Sequence, residues 1–246
     1  MSHSLQPGMV YLVGAGPGAP ELLTLRAAEL LKTCDVILPD DLVSDAILDM
    51  ASPTANIIPV GKRCGQPRIT QAGIHQLMLE HATAGSTVLR LKSGDPLVFG
   101  RAGEEMAFLR EHGIPFEIVP GISTVFAAAA SLQTPLTDRS AASKLVLATA
   151  HHAAGKVELS PSWAGAFPEH ATLVIYMPGR DFATLAGDLM HSGIAANTPC
   201  IAVSKATTPE EQVTATTLDQ LGVAAIGPAP VILLIGHAIQ VPSPTA

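Results

Sequence analysis

Aromatic residues are scarce: one Trp, two Tyr and six Phe in 246 residues. With so few ring faces, a platform that stacks successive nucleobases is excluded, and the core has to be aliphatic. Charge is also sparse, at 14% of residues, and its balance is negative, 21 acids against 14 bases. A net charge of −7 argues against a nucleic-acid partner held by general electrostatics. The three cysteines, Cys34, Cys64 and Cys200, are odd in number and far apart, which excludes a disulfide framework and fits a reducing cytoplasm. None of the histidines or cysteines stands in an HxxxH or CxxC spacing, so no metal site is expected. No apolar run approaches the roughly 18 residues needed to cross a bilayer. The opening MSHSLQPG also lacks a charged-then-apolar leader profile. The expectation is a soluble cytoplasmic protein with no membrane partner.

What is abundant is aliphatic bulk and turns: 48% of residues are hydrophobic, with 21 Gly and 20 Pro. The apolar run Met9–Val13 ends in glycines, as a strand buried on both faces of a parallel sheet does. Pro20, Glu21 and the leucines that follow predict a helix through Thr33. The alternation continues with strands at Val36–Leu38, Asn56–Val60, Thr87–Leu91 and Phe116–Val119, and helices at Leu42–Met50, Thr70–Ala84, Ala102–His112 and Ser123–Leu132. This is an open parallel α/β sheet. The polar stretch around Pro135 precedes a fresh apolar run, which places a domain junction at Arg139 and domains at 1–138 and 139–246. In the second, strands are expected at Leu145–Thr149, Thr172–Met177, Cys200–Ser204, Glu211–Thr216 and Val231–Ile235, with helices at Phe182–His191 and Leu218–Ala225. Glu211–Thr216 alternates polar and apolar residues, the pattern of a half-exposed antiparallel strand, so the second sheet is mixed.

Three stretches carry chemistry. Gly14-Ala15-Gly16-Pro17-Gly18 follows the first strand, where backbone amides can cradle an anion. Its third glycine comes one residue early for a dinucleotide fingerprint, and Pro17 removes a donor; a nicotinamide oxidoreductase and a purely structural turn both remain open. Arg90 through Glu105 runs from a strand end into a loop with both signs of charge, at the edge where parallel sheets bind ligands. Val119-Pro120-Gly121-Ile122-Ser123-Thr124 places Ser123 to cap the next helix or to touch a ligand. Between Val60 and Arg101, six bases (Lys62, Arg63, Arg68, Arg90, Lys92, Arg101) face two acids, a local positive field that suits a small anionic ligand or is scattered solvated charge.

VGAGPGAPELLTL, VGKRCG, RLKSGDPLVFGRAGEE, VPGIS, PLTDR, the TAH at Thr149–His151 and TPEEQ after Thr207 stand in the order and spacing of one family. Over nearly its whole length the chain resembles the tetrapyrrole methylases. The resemblance implies a homodimer of two-domain α/β subunits, each with a parallel N-terminal sheet and a mixed C-terminal sheet, binding S-adenosylmethionine in the cleft between domains. It implies methylation of two pyrrole carbons of uroporphyrinogen III to give precorrin-2 and S-adenosylhomocysteine, with a sister precorrin methyltransferase as the alternative. By the same resemblance Asp40 and Lys62 are the proton acceptor and donor, and Arg101 with Glu104 assists catalysis. Arg101, Arg139, Lys62 and Arg63 would grip the polycarboxylate substrate. Pro17, Ser93, Gly94, Asp95, Val98, Ser123, Thr124, Met177, Ala206 and Val231 would contact the cofactor. Read without the resemblance, Asp40 is rather an ordinary strand-end cap and Lys62 a solvated surface charge. Four positions depart from the family pattern: Pro39 and Asp41 replace a tyrosine and an arginine, Ser93 a glycine and Asp138 a histidine.

Overall fold

The computed structural model of the protein describes residues 6–61, 69–150 and 168–239. The chain divides into two units, Met1–Ser123 and Thr124–Ala246. In the first, β1 (Val10–Gly14), β2 (Val36–Pro39), β3 (Asn56–Ile57), β4 (Val88–Lys92) and β5 (Phe116–Val119) form one sheet in the order β3-β2-β4-β1-β5, parallel throughout. Period-two alternation sorts the side chains. Tyr11, Val13, Ile37, Leu89 and Leu91 pack with Ala27, Leu30 and Leu31 of α1 (Leu25–Thr33) and Ile47 of α2 (Asp45–Leu48). Val10, Leu12, Val36, Leu38 and Val88 pack on the other face with Ile74, Met78 and Ala82 of α3 (Gln71–Thr83) and Leu109 of α4 (Ala102–Glu111). Helices on both faces explain why these strands read as continuous apolar runs.

The helix expected from Pro20 onward is broken. Pro20–Leu22 is a single 3₁₀ turn, and α1 starts only after Thr24, whose extended backbone and hydroxyl, accepting from the Ala27 amide at 3.2 Å, make a stronger helix start than the proline. The other strands and helices of this unit fall within a few residues of expectation, with α2 and β3 shorter.

The second unit has the sheet order β6-β7-β10-β8-β9, from β6 (Lys144–Thr149), β7 (Ala171–Tyr176), β8 (Pro199–Ser204), β9 (Gln212–Thr217) and β10 (Val231–Ile235). β6 and β7 are parallel and the other pairs antiparallel, including β9, the edge strand. α6 (Phe182–His191) covers one face through Leu185, Ala186 and Leu189. α5 (Thr124–Ser131) covers the other, with Val125, Ala128, Ala129 and Leu132 against Val174, Ile201, Val203, Ile232 and Leu234. That packing assigns α5 to the second unit, so the division falls at Ser123/Thr124 rather than at Arg139. Where a helix Leu218–Ala225 was expected, Leu218–Val223 is 3₁₀: Leu218 and Leu221, three apart and fully buried, suit three residues per turn, and Gly222 lies against Ala183. Among the described residues no helix is long and apolar enough to cross a membrane.

Adjacent strands β1 and β4 connect to opposite sides, β1 towards β2 and β4 towards β5, so a crevice opens at their carboxyl ends. The loops there meet backbone to backbone. Gly16 and Gly94 exchange hydrogen bonds at 3.1 and 2.7 Å, and the Ala15 amide donates to the Lys92 carbonyl at 2.7 Å. A Cβ on Gly14 would stand 2.5 Å from the Gly121 nitrogen, and one on Gly121 would stand 2.2 Å from the Gly94 carbonyl oxygen. Gly14 and Gly121 are required because three main chains touch, and Gly94 has a left-handed backbone (φ 68°).

Two outcomes are expected. Gly121→Ala should lower stability by about 1–3 kcal/mol in chemical denaturation, as overpacking does. Gly103→Ala, in α4 with nothing within 4 Å of the added methyl, should be neutral or stabilising. The second concerns Asp35, whose carboxylate accepts from the Thr87 amide and hydroxyl at 2.8 and 2.7 Å, bonds that hold its pKa below the ordinary value. A depressed folded pKa gives stability that is present above the unfolded value of about 3.9 and lost as pH falls through the folded one. Asp35→Ala should therefore lower the urea midpoint at neutral pH, with the gap closing as the medium is acidified through that range.

Candidate active site

The carboxyl edge of the first sheet gathers the loops after β1, β4 and β5. Asp95 ties two of them together: one carboxylate oxygen accepts from the Leu97 amide at 2.8 Å and the other from the Gly121 amide at 3.0 Å. Its first task is thus to shape the loop that carries Gly94 and Val98. Pro17, Ser93, Asp95 and Val98 are half-buried, Gly94 and Ser123 buried, and Ser123 immediately precedes α5. Phe99 and Arg101 have left-handed backbones (φ 52° and 57°), which aims this loop at a steric cost.

At the end of β2, Asp40 accepts a short hydrogen bond from Arg90 Nη2, while about a third of its side chain stays exposed (34%). Arg90 is 2% exposed; its Nε donates to Glu105 Oε1 at 3.0 Å and its Nη1 to the Leu38 carbonyl at 2.9 Å. Lys92 Nζ reaches the same Glu105 oxygen at 3.0 Å, and Gln71 Nε2 reaches it at 3.3 Å. Burial works to lower the Arg90 pKa, but the charges of Asp40 and Glu105 outweigh it and leave it raised. Burial, then the Arg90 charge, lowers Lys92 more than Glu105 and Asp40 restore it.

This cluster corrects the reading of a positive field between Val60 and Arg101. Two of its six cations, Arg90 and Lys92, are internal and matched by Asp40 and Glu105. Lys62, Arg63 and Arg68 lie outside the described residues. Arg101 stays exposed, in a bidentate pair with Glu104 at 2.8 and 2.7 Å that raises the Arg101 pKa and holds Glu104 below the usual carboxylate range.

In the second unit, Met177 follows β7, Lys205–Thr207 follow β8 and Val231 opens β10, all at one edge of the sheet. The Lys205 amide donates to the Pro230 carbonyl at 2.8 Å, which closes that edge. Met177, Lys205 and Thr207 have positive φ, Ala206 is buried, and the buried Thr207 hydroxyl has no hydrogen-bond partner among the described residues. An orphaned hydroxyl among strained backbone and small residues fits a ligand such as S-adenosylmethionine, whose polar groups pair with main chain and hydroxyls. Thr124 opens α5, where the Val125 amide donates to the Tyr176 hydroxyl at 3.3 Å. Arg139 is exposed in the turn Asp138–Ala142, which leads into the start of β6 and not to the edge bearing Met177. Asp138 is consumed by its own turn, accepting from the Ser140 amide and hydroxyl and the Ala141 amide at 2.8, 2.5 and 3.0 Å. Asp41 lies against Gly61, where any Cβ would stand 1.9 Å from its Oδ1.

Sequence reading missed Arg90, Lys92, Glu105 and Thr207. The first three had a signal: two cations at alternate positions of a strand otherwise read as buried need counter-charges.

Residues 9–222 match the family model described as Tetrapyrrole (Corrin/Porphyrin) Methylases. The chain is 43% identical to the uroporphyrinogen-III C-methyltransferase of Paracoccus denitrificans, over 94% of this chain and 81% of that protein. It is 41% identical to the chloroplastic S-adenosyl-L-methionine-dependent uroporphyrinogen III methyltransferase of Arabidopsis thaliana, over 95% of this chain but only 64% of that one. It spans about half the length of most of the siroheme synthases that it also matches. Among solved structures, the uroporphyrin-III C-methyl transferase of Thermus thermophilus complexed with S-adenyl homocysteine superposes with a TM-score of 0.76 at 36% identity, covering 93% of this chain and 92% of that one. A family match over most of the chain, with relatives above 40% identity and a like fold, agrees with the motifs gathered at these sheet edges: the chain belongs to the tetrapyrrole methylases.

Proposed function

We propose that this chain transfers methyl groups from S-adenosylmethionine to two pyrrole carbons of uroporphyrinogen III, giving precorrin-2. The observation that carries the reading is the 43% identity to the Paracoccus enzyme across 94% of the chain. When bound, the cofactor supplies a methyl group on a positively charged sulfur, open to attack by an electron-rich carbon. The protein's part is to hold and orient the reactants, worth on the order of 7–11 kcal/mol where the bound geometry is productive. In the first unit the cofactor contacts are Pro17, Ser93, Gly94, Asp95, Val98 and Ser123, mostly through backbone; in the second they are Thr124, Met177, Ala206 and Val231.

Asp40 is the proton acceptor: its carboxylate is clamped by Arg90 and still open to solvent. Lys62 is the matching donor. Arg101 and Arg139 bind substrate carboxylates. The Arg101–Glu104 pair is exposed on both sides, at 53% and 52%, and such pairs contribute little in water, so a polyanionic macrocycle can displace Glu104 from the fork. The protein acts as a homodimer in the cytoplasm; Cys34 and Cys200 are buried, which pushes their thiols up to about 12 and makes them inert.

The test is transfer of labelled methyl to uroporphyrinogen III, with mass analysis showing a gain of two methyl groups. A different macrocycle as the sole acceptor would replace the substrate, and no acceptor at all would end the reading. Arg101→Ala should cut kcat/KM roughly 10- to 150-fold, the loss of about 1.5–3 kcal/mol of charge-assisted bonding. Affinity for S-adenosylhomocysteine, read by calorimetry, should be retained; its loss would put Arg101 on the cofactor side.

A further inference from the structure

Within the first unit, one feature of the charge cluster is asymmetric. Arg90, Lys92 and Glu105 are sealed from solvent, Glu105 completely, and only Asp40 emerges. Two cations and an anion in a dry interior, with a second anion at its rim, are an expensive way to join a strand to a helix, since well-packed apolar side chains of like volume do so at least as well. Glu105 is also used one-sidedly. Oε1 takes three donors, from Arg90, Lys92 and Gln71, and the buried Oε2 has no hydrogen-bond partner among the described residues. The carboxylate is therefore set by its cationic neighbours rather than by full hydrogen bonding, and it fixes the Nε side of the Arg90 guanidinium. The opposite side of that planar fork is anchored by the Leu38 carbonyl and points Nη2 at Asp40.

We infer that Glu105 is a positioning residue for the acceptor carboxylate of Asp40, acting through the Arg90 fork, and that Lys92 balances the second negative charge so that Asp40 stays aimed outward. The inference rests on the proposed role of Asp40. Arg90 has two carboxylates to satisfy. With Glu105 neutralised, the interior carries one uncompensated positive charge and Asp40 becomes its only anion, drawn inward and away from substrate. Restoring neutrality by removing Lys92 as well leaves one Arg90–Asp40 pair and releases that pull.

The experiment compares the wild type, Glu105→Gln, Glu105→Asp and Lys92→Met/Glu105→Gln in steady-state methyl transfer to uroporphyrinogen III, with calorimetric affinity for S-adenosylhomocysteine and thermal melting measured on each. Glu105→Gln is expected to lose about tenfold to a hundredfold in kcat, the scale of a misplaced catalytic group. The macrocycle KM should stay within about threefold, because binding is untouched, and cofactor affinity should be unchanged. Lys92→Met/Glu105→Gln should regain most of the lost kcat. Glu105→Asp keeps the charge but withdraws the carboxylate from Arg90, so it should also lower kcat; it carries the test should Glu105→Gln fail to fold. A folded Glu105→Gln or Glu105→Asp with wild-type kcat overturns the inference, as does a defect confined to KM or to cofactor affinity. A folded double variant no faster than Glu105→Gln overturns the charge-balancing part. Absence of methyl transfer by the wild type in the same assay sinks the proposed function instead, so the two failures are read apart.

Discussion

The contact on which the first unit's site depends is the meeting of three main chains at Gly14, Gly94 and Gly121. Parallel strands β1, β4 and β5 end side by side, but parallel strands do not by themselves bring their following loops together. That takes the removal of side chains at Gly14 and Gly121, so that carbonyls and amides can approach within the space a methyl would occupy. Once they do, each loop leaves the sheet in a fixed direction. The Gly16–Gly94 bridge and the Asp95 carboxylate then lock two of them to each other and to the third. The glycine-rich stretch after β1 is thus a structural joint before it is a ligand cradle, and it can serve as a cradle because the joint is rigid.

The second constraint is where charge is spent. In this acidic chain the cations do two different jobs. Arg90 and Lys92, on the same face of β4, point under α4 and are neutralised inside, whereas Arg101, one residue ahead of α4, stays in water with Glu104. An internal charge cannot attract a distant polyanion once its partner cancels it, but it can hold a neighbouring carboxylate firmly, because the interior screens little. An exposed pair does the reverse: it holds weakly and exchanges readily. Counting cations along a stretch of sequence merges the two jobs.

Much of the fold was legible because burial on both faces leaves a plain signature. Val231–Ile235 is such a strand and falls where the pattern placed it, as do Phe116–Val119 and Phe182–His191; the alternation of Glu211–Thr216 marked a half-exposed antiparallel strand, which the sheet order puts at an edge. What escaped was decided by competition or by tertiary contact. Thr24 displaced Pro20 as the start of α1 because a side-chain cap satisfies an amide that a proline merely omits. α5 joined the second unit because its alanine face fits β7, β8 and β10, a fact of packing that no local composition marks. Of the site, the loops were readable from their glycines and from family resemblance; the Arg90–Glu105–Lys92 cluster was hidden, since Glu105 beside Glu104 reads as one more acid in a helix's first turn. Only the strand period sets Arg90 and Lys92 on one face, and only the three-dimensional packing says that Glu105 lies beneath them.

One of the four departures from the family pattern, Asp138, follows the same division between joint and ligand surface. Asp138, where a histidine is usual, has its Oδ1 occupied by three donors of its own turn, so one oxygen of the added acid is spent locally. Asp41, where an arginine is usual, lies against Gly61, where an added Cβ would meet the Asp41 carboxylate and amide, so it is position 61 that has to stay a glycine. Asp138 is committed to holding chain, as Asp95 is. A negative charge that already accepts backbone hydrogen bonds repels a carboxylate ligand less than a free one, because its field is partly met by the amide dipoles it binds. A site for an acidic macrocycle can therefore tolerate acids around it, provided each is turned toward the main chain that it holds.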